Sequence, residues 1–241
     1  MGQAGRVIPH TLVLLHSPLT TAAAWGTLPD RLRDLGVPVA VVDVGTDDAA
    51  PYATRYVGAT ALQLAATPAD PVVLVGHSGA GPLLPQVGFA LRAARRVVGG
   101  YVFLDAGLPR AGRTASRLDL MDAEDEAFAA DLRSTLEADG RYPTWTDADL
   151  AQDVPDAGQR AALVASLRPR GLDFFTEPLP APVDWPDAPC GVLRTSDGYE
   201  QSARLGRGRG WPVVSRDLGH FAALAAPVET AEALVKLVGL L

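Results

Sequence analysis

Cysteine is nearly absent from this sequence: Cys190 stands alone among 241 residues. One thiol cannot build an intrachain disulfide framework or a cysteine-based zinc site. Long apolar runs are missing too. None approaches the ~20 residues of a membrane-spanning helix. The start, MGQAGRVIPH, lacks the extended apolar stretch of a secretory leader, and Arg6 stands where a myristoylation signal carries Ser or Thr. Lysine is equally scarce: Lys236 is the one lysine among 21 basic residues. A net charge of -7 argues mildly against sequence-independent nucleic-acid binding, which needs a basic surface to neutralise phosphates. The expectation is a cytoplasmic chain with a small-molecule partner and without nucleic acid or membrane. Nothing in the sequence sets its oligomeric state.

What is present is a packed globule. Hydrophobic residues make up 48% and charged residues 20%, the proportions of a chain with a core. The length suits one large core and is short for two ordinary domains. Short apolar runs recur at residues 11–16 (TLVLLH), 37–44 (VPVAVVDV), 71–76 (PVVLVG), 101–105 (YVFLD), 191–194 (GVLR) and 211–215 (WPVVS). They are β-branched or Leu on both faces, as in parallel strands covered from both sides. Helical spacing follows at 28–35, 52–66, 82–94 and 226–238. The alternation predicts an α/β fold, a mostly parallel doubly wound sheet. Residues 111–187 break the pattern, being richer in acidic and aromatic residues without a convincing strand. Two or three helices are expected there, around 116–136, 146–151 and 158–167. This reads as a helical cap inserted between the fourth and fifth core strands, the core being 1–110 and 188–241 of a single domain.

The strongest motif is PVVLVGHSGAG. A buried strand runs into Gly76-His77-Ser78-Gly79-Ala80-Gly81, and a helix follows. Small residues two positions either side of Ser78 fit a sharp strand-to-helix turn that exposes a nucleophilic hydroxyl. The helix start then aims N–H groups, Gly79 first, at the space where an oxyanion would form. A dinucleotide-binding loop would need G-x-G-x-x-G, and a P-loop a lysine; neither is here.

A serine needs a base, and the base an orienting acid. Of the four histidines, His10 lies in the N-terminal tail, and His77 occupies an elbow position whose side chain usually points away from a pocket. His16 ends the first strand and suits a structural role beside the site. His220, in LGHFAAL, follows the last strand, at the end of the sheet where α/β proteins place chemistry; it is the candidate base. Two carboxylates compete as acid. Asp197 has the commoner placement, just past GVLRTS; Asp105 has the more rigid one, at the end of YVFLD.

These residues resemble the α/β-hydrolase superfamily over nearly the whole chain: LVLLHSPL, GHSGAG, YVFLDAGLP, GVLRTSDGYE and GWPVVSRDLGHFAAL. The sequence is most similar to small single-domain, esterase-like members, the group that includes plant methylesterases and hydroxynitrile lyases, and to actinobacterial members with an HSPL start. The resemblance implies a mostly parallel sheet, no cofactor, no metal, and a triad of Ser78, His220 and an Asp. With about ten residues ahead of the first core strand, the leading antiparallel strands of larger members are expected to be missing. One departure stands out. The family usually donates a backbone N–H to the oxyanion from the loop after the first core strand. Here that loop reads His16-Ser17-Pro18-Leu19, and proline has no N–H. The Leu19 N–H or the Ser17 hydroxyl would have to serve.

The expected activity is serine-dependent hydrolysis of a small carboxylic ester, thioester or lactone. The alternative is a lyase, dehydratase or cyclase of natural-product biosynthesis that uses Ser and His as an acid–base pair. A ligand-binding protein with an idle triad comes third. Trp25 is expected as a core anchor or a pocket wall. Tyr142, Trp145, Phe174, Phe175 and Trp185 are expected mainly to pack the cap, with one or two reaching the pocket. Asp43, Asp47 and Asp48 read as solvated loop carboxylates, and Gly206–Gly210 as a connecting turn.

Overall fold

The computed structural model describes residues 10–45, 48–66, 71–110, 114–179 and 181–241. Its frame is one sheet of six strands: β1 (Thr11–Leu15), β2 (Val39–Val42), β3 (Val72–His77), β4 (Val98–Leu104), β5 (Cys190–Arg194) and β6 (Val213–Ser215). Their order is β2-β1-β3-β4-β5-β6, and every neighbouring pair is parallel. All six predicted strands are present. The central strand β3 is buried at each of its positions, because helices cover both faces. Leu74 faces one apolar cluster with Val13 and Leu15. Val73 and Val75 face another with Leu12 and Leu14. Each such side chain contributes about 1.5–3 kcal/mol of burial, so the period-2 division anchors the register.

Two strands differ most from expectation. β4 begins three residues earlier than the apolar run suggests, since Gly99 and Gly100 hide it. At Gly100 a side chain would stand 3.0 Å from Leu241 and 3.3 Å from the Pro189 carbonyl; glycine admits these close neighbours. β2 is shorter than its run because it is an edge strand, half open to solvent.

The flanking helices are α1 (Leu28–Asp34), α2 (Tyr52–Ala65), α3 (Leu84–Ala93), and, after the insertion, α9 (Glu200–Gly208), α10 (Ala222–Ala225) and α11 (Pro227–Val238). Gly206–Gly210 is thus mostly the last turn of α9 rather than a free turn: Gly206 lies against Val192 and Val213, where a Cβ would come within 2.9 Å of Val192.

Among the described residues, the stretch between β4 and β5 holds five helices: α4 (Arg117–Glu124), α5 (Glu126–Glu137), α6 (Asp147–Leu150), α7 (Ala157–Ala165) and α8 (Leu172–Thr176). The single helix expected around 116–136 is two. Asp125 adopts an extended conformation and its side chain accepts the Phe128 N–H, capping α5 at its start. The insertion is tied to α2 through polar contacts. The Tyr52 hydroxyl donates to Asp173 at 2.6 Å, and Glu177 accepts the Ala53 N–H at 2.9 Å while pairing with Arg117 at 3.2 Å. Among the described residues, no helix is long and apolar enough to cross a membrane.

Candidate active site

Ser78 follows β3 directly and opens a 3-10 turn, Ser78–Leu83, that leads into α3. Its φ of 54° lies in the left-handed region, a strain of about 1–3 kcal/mol for a non-glycine residue. The neighbours must be small to permit it. A side chain at Gly76 would stand 3.2 Å from the Ala80 backbone, and one at Gly81 2.7 Å from the Gly107 carbonyl.

A continuous hydrogen-bonded chain starts at this serine. Ser78 Oγ is 3.1 Å from His220 Nε2, and His220 Nδ1 is 2.8 Å from Asp105 Oδ2. His220 follows β6 and Asp105 ends β4, so three strand ends supply the three groups. Asp105 is completely buried and its backbone is also left-handed, φ 43°. Its Oδ1 accepts the N–H groups of Thr195 at 2.8 Å and Ser196 at 2.9 Å. Its Oδ2 accepts the Ser196 hydroxyl at 2.6 Å as well as the imidazole. Burial works to raise its pKa, but the hydrogen bonds and positive charge of His220, with those from Ser196 and Thr195, outweigh it and hold the carboxyl below the usual carboxylate range. The arrangement can pass the Ser78 proton to an imidazole backed by an ionised acid.

Asp197, the candidate acid with the commoner placement, does not meet His220. Its side chain is fully exposed and pairs with Arg194 at 3.1 Å. The reason is local. The backbone at Thr195 and Ser196 wraps onto Asp105, and Asp197 begins the next 3-10 turn facing solvent.

His77 borders the cavity next to Ser78 but is itself buried, its ring packed among Trp25, His220 and Phe221. Its ring lies 4.7 Å from that of His220, and its Nε2–H donates to the His220 carbonyl at 2.9 Å. Burial, then repulsion by His220, pushes its pKa down to about 3, so it remains a neutral support. His16 is structural: fully buried, it faces the Ser17 carbonyl through Nδ1 at 2.8 Å and accepts the Val44 N–H through Nε2 at 3.0 Å. Trp25 is a core residue of the Leu12–Leu14 cluster with its ring 5.8 Å from His77. Neither His16 nor Trp25 lines the cavity. His10 lies beside Gly99 at the opposite end of β4. Asp43 accepts the Ala22 N–H at 3.2 Å, Asp48 is exposed, and Asp47 lies outside the described residues.

Ser17, Pro18, Leu19 and Gly79 all line the cavity. Leu19 N–H donates to Ser17 Oγ at 3.3 Å, which leaves the hydroxyl proton of Ser17 to point elsewhere. A Cβ on Gly79 would sit 3.1 Å from that Oγ, so the Gly79 backbone and the Ser17 hydroxyl share one corner.

The cavity holds about 300 Å³, at the small end of ligand pockets. Tyr142, Trp145, Phe174 and Phe175 all line it, more than the one or two expected, together with Leu120, Met121, Phe128 and Phe221. Trp185 does not; it packs against Tyr101, Phe103 and Trp211. Glu124 is a carboxylate in this apolar wall. Burial raises its pKa, against the hydrogen bonds from the Ser202 hydroxyl and N–H. The residue that sequence reasoning missed is Tyr199. Its ring stacks on His220, centroids 5.3 Å apart and 15° between planes, and its hydroxyl is 3.4 Å from Ser78 Oγ. Its place after a strand's carboxyl end, beside Asp197, was the available signal.

Comparison with known proteins fits this architecture. The model of the alpha/beta hydrolase family matches residues 12–233. No curated protein matches the chain by sequence. Among solved structures, the chain is similar to an extracellular alpha/beta-hydrolase from a Paenibacillus species, described as sharing structural and functional homology with tobacco salicylic acid binding protein 2. The TM-score is 0.75 at 19% identity, covering 95% of this chain and 99% of that one. It is also similar to a variant of tomato methylketone synthase I complexed with beta-ketoheptanoate, TM-score 0.73 at 15% identity, covering 96% and 98%. A third is polyneuridine aldehyde esterase, TM-score 0.70 at 19% identity, covering 94% and 98%.

Proposed function

The chain belongs to the alpha/beta hydrolase family, and on that premise we propose that it is a serine-dependent hydrolase of a small carboxylic ester, thioester or lactone with an apolar or aromatic acyl group. One observation carries the reading: the Ser78–His220–Asp105 chain opens into a small, aromatic-lined cavity. Ser78 Oγ attacks the carbonyl carbon as His220 Nε2 takes its proton. Asp105 fixes the tautomer with Nδ1–H and stabilises the imidazolium. The oxyanion is held by the Gly79 N–H and the Ser17 O–H, the latter standing in for the N–H that Pro18 lacks. His220 returns the proton to the leaving oxygen, and the acyl-enzyme is then hydrolysed by water activated at the same imidazole. The helices between β4 and β5 act as a cap that shapes the acyl site. We assign the protein to the cytoplasm on its single cysteine, although the Paenibacillus neighbour is described as extracellular.

Intact mass after exposure to a small fluorophosphonate tests the reading. A stoichiometric adduct, lost in Ser78→Ala, is expected. A folded protein that takes no adduct and turns over none of a panel of short esters, thioesters and lactones would refute it. Pro18 favours a second reading, acid–base lyase, dehydratase or cyclase chemistry in natural-product biosynthesis, since such a reaction needs no full oxyanion hole. It predicts turnover of biosynthetic intermediates that Ser78→Ala abolishes without any covalent adduct.

A further inference from the structure

We infer that Tyr199 is a further catalytic residue of this site, its phenolic O–H donating to the leaving-group oxygen of the substrate as the acyl–oxygen bond breaks. The inference rests on the ester reading above. Three observations lead to it. The first is distance. The Tyr199 hydroxyl is 3.4 Å from Ser78 Oγ, longer than the ~2.5–3.0 Å of a formed O–H···O bond. Ser78 is its one polar neighbour within hydrogen-bond reach among the described residues, so its proton is not committed elsewhere. An oxygen on the carbon that Ser78 attacks would enter the space between, and catalytic hydrogen bonds often tighten only at that stage.

The second observation is side. The Gly79 backbone and the Ser17 hydroxyl form one corner around Ser78, and the carbonyl oxygen belongs there. Tyr199 lies against the face of His220. The leaving oxygen must approach His220 Nε2 to take its proton, and the Tyr199 hydroxyl and that nitrogen both reach Ser78 Oγ, at 3.4 and 3.1 Å, so the oxygen comes within reach of both. The third is charge state. Burial of the phenol raises its pKa well above the ordinary tyrosine value, so it remains a donor at any working pH. When the tetrahedral intermediate collapses, the carbon–oxygen bond breaks and its electron pair goes to the leaving oxygen. The proton on His220 Nε2 transfers to that oxygen. Tyr199 keeps its own proton and only shares it with the charge that develops.

This role makes the benefit depend on the leaving group. An alkoxide is strongly basic and needs the donor; a nitrophenolate leaves unaided. Two esters of one acyl group, methyl and p-nitrophenyl, therefore separate the roles by kcat/KM, which reports acylation for both. Tyr199→Phe keeps the ring stacked on His220. It should lower kcat/KM for the methyl ester about 10- to 100-fold, the range for a hydrogen bond to a developing charge, and leave the p-nitrophenyl ester essentially unchanged. Tyr199→Leu, which removes the ring as well, should lower both. Equal losses on the two esters with Tyr199→Phe, or no loss on either, would overturn the assignment while leaving the hydrolase reading intact. A parent protein that turns over neither ester would overturn both.

Discussion

Asp105→Asn is the most informative single change, because the structure dictates how the amide must sit. The Thr195 and Ser196 N–H groups both point at Oδ1. Leaving them unpaired in a buried site would cost about 1–3 kcal/mol each, so the amide oxygen takes that position. The amide NH2 then occupies the place of Oδ2, facing His220 Nδ1. Two donors cannot face each other, so the imidazole must present a bare Nδ1 and carry its proton on Nε2. In that tautomer it cannot accept the Ser78 proton. The comparable change in a serine protease costs ~10⁴ in kcat, about 5.5 kcal/mol of barrier. The backbone should not object: the left-handed conformation at this position, φ 43°, is one that asparagine tolerates well, and the Ser196 hydroxyl can turn to accept from the new amide. Thermal unfolding should therefore still be cooperative. Asp197→Asn is the control. Its side chain is fully exposed, and the change should alter kcat by no more than about twofold. The assay is kcat for parent and both variants on one small ester. A folded Asp105→Asn enzyme that loses less than about tenfold, or an Asp197→Asn enzyme that loses more, would refute the reasoning.

Other outcomes follow from the same geometry. Ser17→Ala should lower kcat by ~100–1000-fold with little change in KM, the effect of removing one oxyanion donor; unchanged kinetics would transfer that role to the Leu19 N–H. Stability should fall as the pH drops. His77 has its folded pKa lowered from 6.5 to about 3, so between these values the unfolded chain binds a proton that the native protein does not. Stability is lost progressively below pH 6.5, by up to ~1.4 kcal/mol per pH unit. Asp105, also depressed, adds to the loss at lower pH still, as the medium approaches its folded pKa. Urea unfolding at pH 7.5 and pH 5 checks this, and equal stabilities at the two would exclude a neutral buried His77.

Much of the frame was legible because its signals are local. Six strands announced themselves as apolar runs, and the turn around Ser78 as small residues at fixed offsets. His220 emerged from a count of four histidines and its place after the last strand. What stayed hidden depends on partners remote in sequence. The choice between Asp105 and Asp197 turns on which backbone folds over which carboxylate, and the donors on Asp105 come from residues about ninety positions away. The break between α4 and α5 rests on one capping aspartate inside an otherwise helical stretch. The Gly99–Gly100 start of β4 carries no side chains to betray a strand. Tyr199 looks in sequence like one more loop aromatic, and only the stacking on His220 brings its hydroxyl to Ser78.

The grip on Asp105 has a bearing on how this molecule could change over generations. The inserted helices, of which α4, α5 and α8 line the cavity, are slung between β4 and β5, neighbouring strands of the sheet. Asp105 at the end of one is buttoned to Thr195 and Ser196 at the end of the other. The clasp that orients the imidazole thus also fastens the two sides of the opening from which the insertion hangs. Loosening, lengthening or exchanging those helices would reshape the wall that α4, α5 and α8 supply, while the Ser78–His220–Asp105 hydrogen bonds stay anchored at the strand ends beneath.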